Sequence, residues 1–150
     1  MSHLPSERLA IVEVIDPEAM TAGTTAGDAI DMSVHDQVMF IVMTGNLGAS
    51  GTVDFQVKES SESGGTYHKI SGKSITQMTE ATSTRYDSQA VVNVKASELA
   101  VDHRYIKGYL AIGTATSDVA VLALASNSRF SDAVYTTTYG DLASVVEIVA

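Results

Sequence analysis

The residues able to do chemistry in this 150-residue chain are four histidines, a set of carboxylates and many serines; cysteine is absent. His3, His35, His68 and His103 lack the HxH or HExxH spacing that would aim two imidazoles at one metal, and no thiolate can assist them. In His35-Asp36 and in Asp102-His103 the paired side chains would point to opposite faces of a strand, so a structural or solvated role is expected for each histidine. A serine nucleophile on a GxSxG elbow is excluded, since the nearest stretch, Gly48-Ala49-Ser50-Gly51, has the wrong second spacing. It also lacks the Lys-Ser/Thr ending of a phosphate loop. Carboxylates gather at Asp28, Asp31 and Asp36 and at Glu13, Asp16 and Glu18, without the DxDxDG order of a calcium loop. Paired carboxylates of the glycosidase kind carry no fixed spacing in sequence. The absence of Trp, with only three Phe and six Tyr, argues against a sugar cleft. These residues predict no enzyme, no cofactor and no metal site.

The elements that would carry these residues are strands. Residues 52–59 (TVDFQVKE) alternate strictly, with Val53, Phe55 and Val57 on one face and Asp54, Gln56 and Lys58 on the other. Residues 9–15 (LAIVEVI) read as a first strand stopped by Asp16-Pro17, because proline cannot donate to a ladder. Residues 21–27 (TAGTTAG) read as a loop of small residues and 29–33 as a short strand. Residues 37–44 (QVMFIVMT) and 117–125 (SDVAVLALA) are apolar on both faces, which predicts cover on both sides. The glycines of 45–51 (GNLGASG) and the SSESGG of 60–65 mark loops. Brief strands are expected at 67–70 and 73–78, a strand at 89–95, and one helical turn at Ala96-Ser97-Glu98-Leu99. Residues 103–113 alternate Ile106, Leu110 and Ile112 against Tyr105, Lys107 and Tyr109, and Gly108 in mid-strand predicts a bulge or a close backbone approach. Thr114-Ala115-Thr116 has the length of a tight hairpin. Turns recurring about every 8–12 residues, without a long helix, give the sandwich pattern.

The organisation expected is one domain: an extended N-terminal arm at 1–8, a β-sandwich at 9–133, and a C-terminal tail or final strand at 134–150. The net charge of −9 and pI of 4.6 disfavour contact with phosphate backbones, and the Lys and Arg residues look scattered along the chain. The first eight residues lack the apolar core of a secretory signal, and no apolar run approaches the ~20 residues of a membrane helix. Neither nucleic acid nor membrane is therefore an expected partner. Tyr combines apolar area with a polar tip, so Tyr105, Tyr109, Tyr135 and Tyr139 are candidate interface anchors. Leu4 and Pro5 of the arm and Leu142, Val145 and Val146 of the apolar tail join them.

The run RYIKGYLAIGTATSDVAVLALASNSRFSDA (residues 104–133) resembles the C-terminal half of small head proteins of tailed bacteriophages. GTVDFQVKESSESGGTYHKISGKSITQMTEA upstream resembles the matching hairpin region, with Gly65, Lys69, Ile70, Gly72, Lys73, Ile75 and Thr76 in its pattern. The likeness covers about two-thirds of the chain and lies in strand composition, with no catalytic signature to transfer. It implies a jelly-roll-like β-sandwich of about eight strands acting as a head decoration, or cement, protein. Such a protein would be made in the host cytoplasm. It would then sit on the capsid exterior as a homotrimer and bind the lattice of the major capsid protein. From another class, the loops at 45–51 and 60–65 are compatible with a carbohydrate-binding sandwich, such as a virion adhesion domain.

Overall fold

The computed structural model describes residues 5–80 and 87–128. One helical turn, α1 (Pro5–Arg8), precedes ten strands: β1 (Leu9–Met20), β2 (Gly23–Ala26), β3 (Ile30–Asp31), β4 (His35–Leu47), β5 (Thr52–Ser60), β6 (His68–Ser74), β7 (Met78–Thr79), β8 (Ser88–Lys95), β9 (Tyr105–Gly113) and β10 (Ser117–Ser128). A 3₁₀ turn at Ala96–Glu98 follows β8, where the sequence predicts it. The strands form two antiparallel sheets, β1-β10-β4-β8 and β2-β9-β5-β6, with β3 added beside β9 and β7 beside β5. The pairs β1 with β10, β2 and β3 with β9, β4 with β8, and β5 with β6 and β7 wind the chain as a jelly roll. The all-β sandwich expected from the alternation is therefore the fold.

Side-chain alternation fills the space between the sheets. Val38, Phe40 and Val42 of β4 and Val119, Val121 and Ala123 of β10 face Val53, Phe55 and Val57 of β5 and Ile106, Leu110 and Ile112 of β9. Phe40 and Phe55 meet from opposite sheets with ring centroids 5.5 Å apart and planes tilted by 49°. Room for Phe55 comes from Gly108, which faces inward on β9: a Cβ there would stand 2.8 Å from two carbons of the Phe55 ring. The β5–β9 register runs unbroken past Gly108, so this glycine serves close approach and not a bulge.

The open sides of the sandwich are held by polar groups. On one side the register of β1 shifts between Ile11 and Glu13, and this turns Glu13 into the interior. On the other, β6 shifts register between Lys69 and Ser74, with Gly72 in the left-handed region at φ 75°. The Lys73 ammonium reaches across to β8 from there, donating to the Asn93 carbonyl (2.7 Å) and pairing with Glu98 (2.7 Å).

Several local expectations are corrected. Pro17 does not end the first strand; β1 continues to Met20, and a register shift between Ile15 and Glu18 absorbs the proline on this edge strand. Residues 23–26, read as loop, form β2 because β9 offers them a ladder, a case of tertiary pairing overriding composition. β4 extends through Gly45 to Leu47, which shortens the glycine loop. Thr114-Ala115-Thr116 is not a hairpin: it carries the chain from one sheet to the other, with Thr114 at φ 67°. Residues 5–8 of the supposed extended arm make one turn of helix, opened by Pro5, whose missing N–H costs nothing at a first helical position. The tail at 134–150 lies outside the described residues.

Gly108→Ala is expected to destabilise the fold by about 1–3 kcal/mol through overpacking against Phe55 and Glu13. A denaturant midpoint equal to that of the parent would mean that the ring yields without strain.

Candidate functional site

The outer face of the β2-β9-β5-β6 sheet gathers three tyrosines and four cationic side chains that the sequence scatters: Tyr67, Tyr105, Tyr109, Lys58, Lys69, Arg104 and Lys107. Tyr105, Lys107 and Tyr109 point outward from β9, opposite the buried Ile106, Gly108 and Leu110. The register sets Lys107 directly across from Lys58 on β5, and Lys58 directly across from Lys69 on β6. Three ammonium groups thus share one rung of a chain whose net charge is −9. The impression of scattered cations is corrected here, because strand pairing joins residues distant in sequence.

Like charges directly opposed on a sheet cost roughly 0.2–1 kcal/mol per pair. Tyrosines offset this. The Lys58 ammonium lies 4.2 Å from the centre of the Tyr109 ring, and that of Lys107 lies 5.0 Å from the Tyr67 ring. Each such contact contributes about 0.5–1 kcal/mol at an exposed site, enough to balance one repulsion. The two rings stand 6.3 Å apart and tilted by 54°. Tyr67 is fixed by a hydrogen bond from its hydroxyl to the Ser63 carbonyl (2.9 Å), which ties the 60–65 loop to the patch. Burial, with Tyr109, Tyr105 and Glu13 nearby, pushes the Tyr67 hydroxyl up to about 12, so it remains a neutral donor.

The patch ends at an ion pair. Arg104 stacks near Tyr105, 5.2 Å from its ring, and grips Asp31 of β3 with two hydrogen bonds, Nε to Oδ1 at 2.8 Å and Nη2 to Oδ2. Burial works against ionisation of Asp31, yet the bonds from Arg104 and Ser33 outweigh it and hold the carboxyl below the ordinary aspartate range. Nearby, His68 and His103 stack with centroids 6.2 Å apart, and His103 Nδ1 lies 3.5 Å from Glu59 Oε1. Glu59 Oε2 accepts the Ala100 N–H at 2.8 Å, so this carboxylate positions the approach to β9.

Beneath the patch lies a carboxyl that sequence pattern does not reveal. Glu13 is fully buried, and its Oε2 accepts the Gly108 N–H at 3.3 Å. The β2 ladder ends at Ala26 and β3 resumes at Ile30; between them Gly27 still donates its N–H to the Gly108 carbonyl (2.9 Å), while the Gly108 N–H turns to Glu13. Among the described residues Glu13 Oε1 has no hydrogen-bond partner. Burial raises this carboxyl from 4.5 to about 8; the Gly108 N–H opposes the rise, Asp28 adds to it and Lys107 lowers it. The only signal in sequence was a glutamate amid LAIVEVI, whose inward turn depends on a register shift that no residue there announces.

Of the predicted interface residues, Tyr105 and Tyr109 share this outward face, while Pro5 lies exposed in α1. Leu4, Tyr135, Tyr139, Leu142, Val145 and Val146 fall outside the described residues. Among the described residues no group of three or more His, Asp or Glu side chains converges as a metal site would, and no helix is long and apolar enough to cross a membrane. No protein-family model and no curated protein matches the chain.

The Glu13 carboxyl makes stability depend on pH. The unfolded chain releases this proton near 4.5 while the folded chain keeps it up to about 8. Its contribution is therefore fully present below pH 4.5, is lost as pH rises towards 8, and is flat beyond that. Glu13→Gln should remove this slope and stabilise the protein by about 3 kcal/mol at pH 7, with little effect at pH 4. Denaturant midpoints for both proteins from pH 4 to pH 9 check this, and parallel curves would refute it.

Proposed function

We propose that the protein is a structural component of a tailed-phage virion, a head decoration protein. It binds the outer surface of the major capsid protein lattice and associates with itself as a homotrimer. The observation that carries this reading is the Lys107–Lys58–Lys69 rung laced with Tyr67 and Tyr109, on the outside of a rigid sheet. Such a surface fits a protein partner bearing carboxylates: tyrosine supplies contact area at low conformational cost, and the lysines steer a negative surface into register. A shallow face on a stiff sandwich suits a clamp across subunit joints better than it suits turnover of a substrate. Many copies on one shell turn a modest area per copy, at ~25 cal/mol per Å², into a large barrier to opening.

A second reading, a carbohydrate-binding module, draws on the loop at 60–65 that Tyr67 pins beside the same tyrosines. Glycan-array binding, with and without calcium, separates the two.

The purified chain is expected to sediment as a trimer and to coat mature, expanded heads of the phage that encodes it, while leaving unexpanded heads bare. Lys58→Glu together with Lys107→Glu should leave the fold intact and weaken adsorption by about tenfold or more at low salt. Electron microscopy and co-sedimentation read this directly. A monomer with no affinity for any head would overturn the proposal; equal adsorption by the variant would remove the lysine rung from it.

A further inference from the structure

The second sheet offers a different outer face. Val14, Leu122, Ile41 and Val91 form one rung across β1, β10, β4 and β8. On one side of it Leu124 stands beside Met39, and on the other Ala120 stands beside Met43. Val91 is 52% exposed and Met43 36%. A groove of about 400 Å³ continues the face at that end, with Pro17, Ala19, Met43 and Ala120 in its walls and Glu18, Asp118 and Thr44 among them. Apolar surface contiguous over four strands asks for cover.

We propose that residues 142–149 (LASVVEIV) of the same chain pack on this face. Size is the first argument. With strands ~4.8 Å apart and rungs ~6.7 Å apart, the patch measures roughly 15 Å on a side. That is a few hundred Å², short of the ~800 Å² per partner of a stable protein–protein interface. It matches one short segment. Reach is the second argument. The chain leaves this same sheet at the end of β10, where Ser128 pairs with His35. Returning to the Ala120–Met43 rung takes about 27 Å at ~3.3 Å per residue. Residues 129–141, fully extended, span about 43 Å. Chemistry is the third: LASVVEIV carries a single charge, at Glu147, and would be poorly hydrated in solution. The other outer face meets it with ammonium groups, whereas the centre of this one meets it with Leu, Ile, Met and Val, with Gln89 and Asn93 of β8 at the margin. Residues 1–4, with only Met1 and Leu4 apolar, are too few to cover the same surface. A linker this short holds the segment near its own sheet at an effective concentration of about a millimolar, which favours its own body over a neighbour's. The inference does not depend on the virion reading.

The methionines report the result. In dilute hydrogen peroxide, Met39 and Met43 of the full-length chain should oxidise slowly, and Met32 and Met78, 2% and 1% exposed, serve as buried controls. Val146→Asp with Ile148→Asp should speed oxidation of Met39 and Met43 by about fivefold or more and leave Met32 and Met78 unchanged. Equal rates in parent and variant would overturn the proposal. Protection that disappears on dilution, as an oligomer dissociates, would assign the cover to another copy and overturn it equally. Because the chain has no cysteine, Val91→Cys with Val146→Cys gives an independent check that leaves both faces apolar. A bis-maleimide of about 10 Å should link them within one chain, and linkage solely between chains, or none, would sink the assignment.

Discussion

The missing side chain at Gly108 sets how the two sheets meet. Phe55 leans into that space and from there contacts Phe40 on the opposite sheet, so the widest pair of rings in the core is seated by a glycine. The same vacancy admits the Glu13 carboxyl, whose Oε1 would lie 2.7 Å from a Cβ at this position. Close-packed interiors tolerate little change in volume, so the spacing of the sheets, the tilt of the aromatic pair and the burial of a titratable group are linked through one residue.

A sandwich has two open sides as well as two faces, and here an ionisable side chain bridges the sheets at each, Glu13 on one and Lys73 on the other. Glu13 enters from β1 and takes up the Gly108 N–H at the break between β2 and β3. Lys73 leaves β6 at a left-handed glycine and binds the Asn93 carbonyl and Glu98 by β8. The two holds differ in strength because their surroundings differ. Lys73 and Glu98 are partly exposed, and such a pair contributes at most about 1 kcal/mol. Glu13 stands in a dry interior, where an unmet backbone donor would cost about 1–3 kcal/mol, yet its own ionisation costs more than that above neutral pH. The protonated form resolves the conflict: it accepts the bond without placing a charge in the core.

The fold was legible because period-two alternation is plain in β5 and β9, where TVDFQVKE and YIKGYLAIG state their inner and outer faces directly, while the doubly apolar runs of β4 and β10 marked strands covered on both sides. What escaped was pairing between strands remote in sequence. Gly23–Ala26 has no strand character of its own and acquires it from β9, and Pro17 is tolerated since β1 lies on an edge where a register shift can absorb it. The hairpin expected at residues 114–116 failed for the same reason: three residues suffice for a tight turn within a sheet, and equally for a step between two sheets. Tyr105 and Tyr109 could be assigned to one face from spacing alone. Lys58, Lys69 and Lys107 could not be brought together that way, because their shared rung exists only through the β9-β5-β6 register.

That rung also bears on what the surface is for. Two opposed lysine pairs cost up to about 1 kcal/mol each, and two cation–π contacts return a similar amount, so the arrangement is close to neutral for folding. In an acidic chain any of these positions could carry a glutamate or glutamine, with the tyrosines still packed over the sheet. A feature that folding neither requires nor strongly penalises is available to recognition, where a partner's carboxylates would remove the repulsion and leave the aromatic contacts in place. The opposite face shows the reverse logic: its Leu, Ile, Met and Val side chains gain nothing from water and are best served by permanent cover. One sandwich therefore presents one charged, aromatic surface and one apolar surface that gains from cover. The division follows from which alternate residues of β9 and β5, or of β10 and β4, face outward.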